Sequence, residues 1–250
     1  MKISNNDLLQ YSKQIVLKQV GILGQKKISL SKVLIVGMGG LGCPVALYLS
    51  SLGIKNIGII DHDTVDFSNL NRQILFNTRD IGKFKVIQAK KFLQNINKKI
   101  KINAYKKKIV KNNIQDIASK YDIICDCSDN FITRYLLNDF CLKNKKILIS
   151  GAISKFEAHI FNFNFFKNVP CYRCFMPKIP EQENKCDTEG ILPTVAGIAG
   201  TIQANEVVKS ILNKQNELVG KMIVFNTLNL SFRKIKLTKN NNCATCCKQR

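Results

Sequence analysis

Apolar and polar positions alternate along the chain in a way that sets the expected elements. "KVLIVG", residues 32–37, predicts a first strand, with a helix over Leu41–Leu52 after the turn. "NIGIID", Asn56–Asp61, predicts a second strand, and Ile81–Asn97 has helical spacing. Lys101–Lys107 reads as a third strand, and "YDIICDCSDN" as a fourth that ends in acidic and amide groups. Asn130–Lys143 predicts a helix and "KILISGA" a fifth strand. Strands alternating with helices predict a mostly parallel sheet covered on both faces. After Gly151 the pattern changes: "FEAHIFNFNFF" alternates with a period of two, as an antiparallel strand does. Thr194–Leu212 predicts a helix with small residues on one face, and "KMIVFN" and "SFRKIKL" predict two closing strands. No internal repeat and no linker of Gly, Ser and Pro divides the chain, so one domain over 1–250 is expected.

Composition narrows the picture. The chain has 250 residues, 45% hydrophobic and 22% charged, enough to bury a core. No apolar run approaches the roughly 20 residues of a membrane span. The start, "MKISNNDLLQYSK", lacks the apolar block of a signal peptide. A soluble, cytoplasmic protein with no membrane partner is expected. The net charge of +22 comes from 39 Lys plus Arg against 17 Asp plus Glu. Such an excess suits nucleic acid. Yet lysine far outnumbers arginine, and Asn and Ile abound beside it, as in "NINKKIKINAYKKKIVKNNI". That composition fits a coding bias spread over solvated faces, and nucleic acid is not the expected partner. The same charge would help an acidic protein dock.

The first strand runs into "GMGGLG", where Gly37, Gly39 and Gly42 have the spacing of a dinucleotide fingerprint. Glycines permit a tight turn and a close approach to phosphate, which the next helix's N–H groups then face. Alone, the pattern fits NAD, FAD or ATP. Asp61 ends the second strand, where an acid accepts hydrogen bonds from a ribose hydroxyl. The following "DHDTVDFSNLNRQILF" does not suit a dehydrogenase: Asn69, Arg72 and Gln73 form a polar loop, and a guanidinium there suits a triphosphate. Lys85 supplies a second cation, and Asp129, on the same carboxyl edge, is placed to hold magnesium. Arg134, on the helix after Asp129, either orients that loop or forms an ordinary salt bridge.

Ten cysteines are present, and structural disulfides are not expected. Cys43, Cys125, Cys127 and Cys141 lie in apolar stretches and read as core. "CYRC" holds Cys171 and Cys174, and "CATCC" holds Cys243 and Cys246. Two C-x-x-C pairs offer four soft ligands, a set that selects tetrahedral zinc. Cys247 competes with Cys246 but breaks the spacing. Cys186, in "ENKCDTEGIL", is unpaired in a polar loop before a helix.

Together "YSKQIVL", "GMGGLG", "DHDTVDFSNLNRQ", "DIGKFK", "SDN", "CYRC" and "CATC" resemble, in order and spacing, the ThiF/MoeB family, over nearly the whole chain. The resemblance implies a Rossmann-like α/β fold, its mostly parallel sheet continued by antiparallel strands, with a four-cysteine zinc site. It implies a nucleotide-binding half over about 30–152 and a carrier and zinc half over about 153–250. Members use Mg-ATP to adenylate the C-terminal Gly-Gly of a small ubiquitin-like sulfur carrier, so ATP rather than NAD is implied. Carried over, Gly37, Gly39, Gly40 and Gly42 admit the phosphates and Asp61 holds the ribose. Arg72 and Lys85 neutralise phosphate charge, Asp129 binds magnesium beside Asn130, and Asn69 and Gln73 complete the polar shell. Zinc falls to Cys171, Cys174, Cys243 and Cys246, and Cys186 is the matching covalent site for the carrier. A sulfur donor enzyme and a homodimer are also implied. Lys13 stands where the family has an arginine that reaches the neighbouring subunit's ATP, and it lacks the bidentate fork. Ala158 and His159 replace a usual Gly and Gln, and Pro193 a usual Gly; His159 is expected to be a packed strand residue. Molybdopterin and thiamine branches share these motifs. The rival reading is a zinc-stabilised protein that holds a nucleotide or nucleic acid without chemistry.

Overall fold

The structure, a computed structural model, describes residues 4–179, 190–213 and 217–247. The eight strands among the described residues join one sheet, in the order β3-β2-β1-β4-β5-β6-β7-β8. The parallel part is β1 (Lys32–Val36), β2 (Asn56–Ile60), β3 (Lys101–Tyr105), β4 (Ile123–Asp126) and β5 (Ile147–Ser154). From β5 the sheet continues antiparallel through β6 (Glu157–Asn164), β7 (Lys221–Asn226) and β8 (Ser231–Lys236). The expected mixed α/β sheet is observed, with strand bounds close to those read from periodicity.

Helices cover both faces. They are α1 (Asn5–Gln10), α2 (Ser12–Ile15), α3 (Gly21–Leu30), α4 (Gly42–Ser51), α5 (Lys85–Ile96), α6 (Lys111–Ala118), α7 (Phe131–Lys143), α8 (Tyr172–Phe175) and α9 (Pro193–Ile211). β1 shows why its run is apolar without interruption: Val33 and Ile35 enter one core, Leu34 and Val36 the other. The first core packs α4, α5 and α9 on the sheet, and the second packs α6 and α7. Cys43, Cys125, Cys127 and Cys141 are buried, as expected. The expected helix over Ile81–Asn97 starts late. Residues 81–84 instead bridge to Val65 and Thr64, Gly82 takes φ +78°, and the helix begins at Lys85. Pro193 opens α9 at its first turn, where its missing N–H costs nothing.

The N-terminal helices are tied down electrostatically. Asp7, on α1, meets Lys99 Nζ at 2.7 Å and Lys55 Nζ at 3.3 Å. The hydrogen bond from Lys99 leads in holding its carboxyl down at about 2, against an ordinary 3.8. A lowered folded pKa stabilises the fold fully above the ordinary value and loses that contribution as pH falls from about 4 through 2. Asp7→Asn is therefore expected to cost about 1–2 kcal/mol at pH 7 and almost nothing near pH 2, read by urea unfolding at both pH values. Among the described residues no helix is long and apolar enough to cross a membrane.

Candidate nucleotide site and four-cysteine cluster

In the order 3-2-1-4-5 the connections reverse direction between β1 and β4, and a crevice opens at the carboxyl ends of those two strands. The glycine turn lies in it. Gly37 has φ +93°, and a Cβ there would meet Cys127 O at 2.7 Å. A Cβ on Gly42 would lie 1.9 Å from Gly37 O. These two glycines are demanded by the turn itself. Gly39 differs: a Cβ would find only Gln73 Nε2, at 3.9 Å, so the room above it is open to a ligand.

A cleft of about 760 Å³ opens there, within the usual range for small-molecule sites. Gly37, Gly39, Gly40, Asp61, Asn69, Arg72, Gln73, Lys85, Asp129 and Asn130 all line it. Gly42 does not; it sits behind the turn as the first residue of α4. Residues distant in sequence therefore converge as the motifs imply. Arg72 bonds through Nη1 to Ser68 O at 3.0 Å and Asn71 Oδ1 at 3.1 Å. No ion pair to Arg72 occurs among the described residues, so its charge stays uncompensated in the cleft. Lys85 is buried, with Nζ 3.0 Å from Asp63 Oδ2. Gln73 is 3% exposed, and among the described residues its Oε1 has no hydrogen-bond partner, a cost that a donor in the cleft would remove. Asn69 and Asp66 cap a short 3-10 turn that presents this loop.

Asp61 carries a structural duty that the sequence does not reveal. Its Oδ2 accepts the Met38 N–H at 2.7 Å, and its Oδ1 accepts the Asp63 N–H at 2.8 Å. It braces the glycine turn, and only its remaining lone pairs are left for a ligand. Asp129 is exposed and, among the described residues, takes one donor, Asn130 Nδ2 at 3.2 Å. Asn130 also caps α7 by accepting the Thr133 N–H at 2.9 Å.

Sequence reasoning missed the support beneath this edge. Asp126, fully buried at the end of β4, accepts from Ser128 Oγ at 2.5 Å and Ser150 Oγ at 2.6 Å. Arg134 pairs with it, Nε to Oδ2 at 3.3 Å, without an aligned hydrogen bond. Both readings of Arg134 hold at once, since its Nη2 also donates to Ser128 O at 3.0 Å. An acid inside an apolar run was the available signal, because a buried carboxylate demands partners. Lys107, Lys108, Glu157 and His159 complete the cleft wall. His159 corrects the expectation of a packed strand residue. Its side chain is 36% exposed, and Nε2 lies 2.7 Å from Glu157 Oε1. Ala158 takes the buried position instead.

Besides Gly42, one expected residue among those described does not join the cleft. Lys13 is exposed on α2 and does not line it. The neighbouring Gln14 Nε2 donates to Leu52 O, at the far end of α4 from the glycine turn, a helix length of roughly 15 Å away. Cys186 lies outside the described residues.

Elsewhere, the two C-x-x-C pairs meet. The Sγ atoms of Cys171, Cys174, Cys243 and Cys246 all lie within 4.8 Å of one another. Separations of 3.9, 3.7 and 3.4 Å join Cys171 to Cys174, Cys171 to Cys243 and Cys174 to Cys246. Tetrahedral metal–sulfur bonds of about 2.3 Å put sulfurs nearly 4 Å apart, so four thiolates fit one ion here. Burial raises the Cys243 thiol, but the N–H groups of Cys246 and Thr245 and the neighbouring sulfurs outweigh it, bringing it to about 7. Cys247 turns away, its Sγ 3.2 Å from Asn240 O.

A glycine turn at the switch point, faced by two cations and an acid, gives an α/β protein with a candidate nucleotide cleft and a separate four-thiol cluster. Residues 11–245 match the ThiF family, and the chain belongs to that family. It is similar to curated relatives named adenylyltransferase and sulfurtransferase MOCS3. It is 40% identical to the Culex quinquefasciatus protein over 98% of this chain and 56% of that one. It is 40% identical to the Dictyostelium discoideum protein over 96% of this chain and 57% of that one. The chain thus spans a little over half the length of these relatives. Among solved structures, E. coli MccB with AMPCPP and MccA matches at TM-score 0.84 and 23% identity, over 98% of this chain and 75% of that one. E. coli MccB with ATP matches at TM-score 0.83 and 24% identity, over 98% and 75%. These last two likenesses concern the fold.

Proposed function

We propose that the protein is an ATP-dependent adenylyltransferase acting on the C-terminal carboxylate of a small ubiquitin-like sulfur carrier. One observation carries the reading: open room above Gly39 is faced by the unpaired Arg72, by Lys85 and by Asp129 within a single cleft. The relatives' names support it, and the MOCS3 relatives favour the molybdopterin branch over the thiamine branch.

In the proposed reaction a carboxylate oxygen of the carrier's last glycine attacks the α-phosphorus of ATP. The bond from that phosphorus to the bridging oxygen breaks, giving acyl-adenylate and pyrophosphate. Little acid–base work is needed, so rate comes from positioning and charge neutralisation. Arg72 and Lys85 meet the growing negative charge. Freeing Lys85 for phosphate means drawing it from Asp63, an exchange of one anion for another. The orphaned Gln73 Oε1 and the Asn69 amide complete the polar wall. Asp129, with Asn130 beside it, would hold magnesium, whose chemistry is to shield the phosphate oxygens. In this reading the stretch over about 30–152 binds nucleotide and that over about 153–250 serves carrier and metal. The four thiols fit zinc in a structural role, pinning the C-terminal segment to α8.

Lys13 reaches a cleft in this reading only when it comes from a second copy, so a homodimer belongs to the proposal and sedimentation tests it. A separate sulfur donor enzyme then serves the activated carrier. A non-catalytic nucleotide-binding protein is the rival. The discriminating experiment is exchange of labelled pyrophosphate into ATP, which should require the carrier; binding of ATP with no exchange would select the rival. Cys186→Ser should keep that exchange, because adenylation needs no thiol, while losing any covalent carrier adduct in intact-mass spectra. An adduct surviving in the serine variant would place its attachment elsewhere.

A further inference from the structure

None of the chemistry above uses the buried charge at the start of α7. Arg134 is 6% exposed, and Asp126 beside it is fully buried. The guanidinium donates through Nη2 to Ser128 O at 3.0 Å and Gly151 O at 3.1 Å. Asp126 Oδ1 accepts the Ser128 N–H at 3.1 Å and the Ser128 Oγ–H at 2.5 Å, and its Oδ2 accepts from Ser150. Ser128 is thus held by the cation at its carbonyl and by the anion at its amide and hydroxyl. Asn130 is held in turn as the cap of α7. Asp129, between them, has both neighbours pinned while its own carboxylate is exposed and accepts from Asn130 Nδ2. A buried ion pair is a poor way to gain stability, since an apolar pair of similar shape often does as well. What this pair supplies is geometry.

The other side of Arg134 faces the four-cysteine segment. Its guanidinium carbon lies 5.7 Å from the Tyr172 ring centre, within cation–π reach. Tyr172 directly follows Cys171. Its N–H donates to Asn138 Oδ1 at 2.8 Å, and Arg173 makes a bidentate pair with Asp139 at 2.9 and 2.7 Å. One face of α7 therefore runs from the Asp129 loop to the cluster.

We propose that Arg134 is a positioning residue, the joint that holds the Asp129 loop and the four-cysteine segment in one arrangement, and that it tunes magnesium–nucleotide binding through Asp129. The proposal rests on the reading that Asp129 serves the nucleotide. The test measures binding, so it stays readable even where carrier activation fails. Arg134→Lys keeps the charge and loses the fork; it should weaken Mg·ATP binding in calorimetry about tenfold, and metal-free ATP binding less than twofold. Asp129→Asn should weaken Mg·ATP binding as well, and the double variant should be no weaker than Asp129→Asn alone, within about twofold. Effects that multiply, or equal weakening with and without magnesium, would show a merely structural arginine and overturn the positioning role. Ser150→Ala, which removes only one hydroxyl from Asp126, supplies the same cycle where Arg134→Lys does not fold. Reciprocally, Arg134→Lys should speed metal loss to a chromogenic chelator about threefold or more, and Asp129→Asn should not. Wild-type release rates in Arg134→Lys, or protein without metal, would overturn the link to the cluster. A wild-type chain that binds no Mg·ATP would overturn this inference together with the nucleotide reading.

Discussion

Arg72→Ala is expected to lower carrier-dependent pyrophosphate exchange by on the order of a hundredfold, or about 3 kcal/mol of transition-state stabilisation. The reason is geometric. Arg72 lines the cleft beside Gly40 and, among the described residues, holds only Ser68 O and the Asn71 side chain, both local. Its loss should therefore leave the melting temperature almost unchanged while removing the cleft guanidinium beside Gly40, a fork that the cleft lysines do not reproduce. Asp129→Ala should match it in size through magnesium, again with an intact fold, because the Asp129 carboxylate is exposed and among the described residues bonds only its neighbour. Exchange within about twofold of wild type in both variants would mean that the site has been wrongly assigned.

Elemental analysis of reduced protein is expected to give one metal ion per chain, and Cys243→Ala is expected to abolish it. The melting temperature should fall by on the order of 10 °C, as metal binding and folding are linked. Cys243 is buried against Cys171 Sγ, 72 residues away in sequence, so the ion would close a long loop. Cys247→Ala is the contrast. That thiol faces Asn240 O, and its loss should leave metal content at wild type. Metal lost equally from both variants, or none in wild type, would remove the assignment to Cys246.

Much of the site was legible because its motifs are local. A strand, a glycine turn and a helix can be read within a dozen residues, and Gly37 and Gly42 prove sterically obligatory at the turn. His159 was misread for a definable reason. The period-two pattern of β6 separates Ala158 from His159, but periodicity does not say where a face stops being covered. On the His159 side of β6, Phe161 and Phe163 pack against Tyr172 of α8, while His159, nearer the strand's start, borders the cleft. Helices α1, α2, α3, α6 and α8 also escaped the reading. The first three are fixed by distant contacts such as Asp7 with Lys99 and the Tyr11 hydroxyl with Asn97.

The sequence by itself determined the succession of elements, the glycine turn, the cations available to phosphate and the four thiols available to a metal. Only the tertiary structure decided that Asp61 spends one carboxylate oxygen on the Met38 amide of the glycine turn and the other on its own loop at Asp63, that Arg134 joins two segments, and that Cys246 rather than Cys247 faces the cluster. Periodicity reports the environment of a residue relative to neighbours a few positions away. Convergence of Asp126, Ser150 and Arg134, or of Cys171 and Cys243, follows from strand order and from which helix covers which face, and no local pattern encodes either.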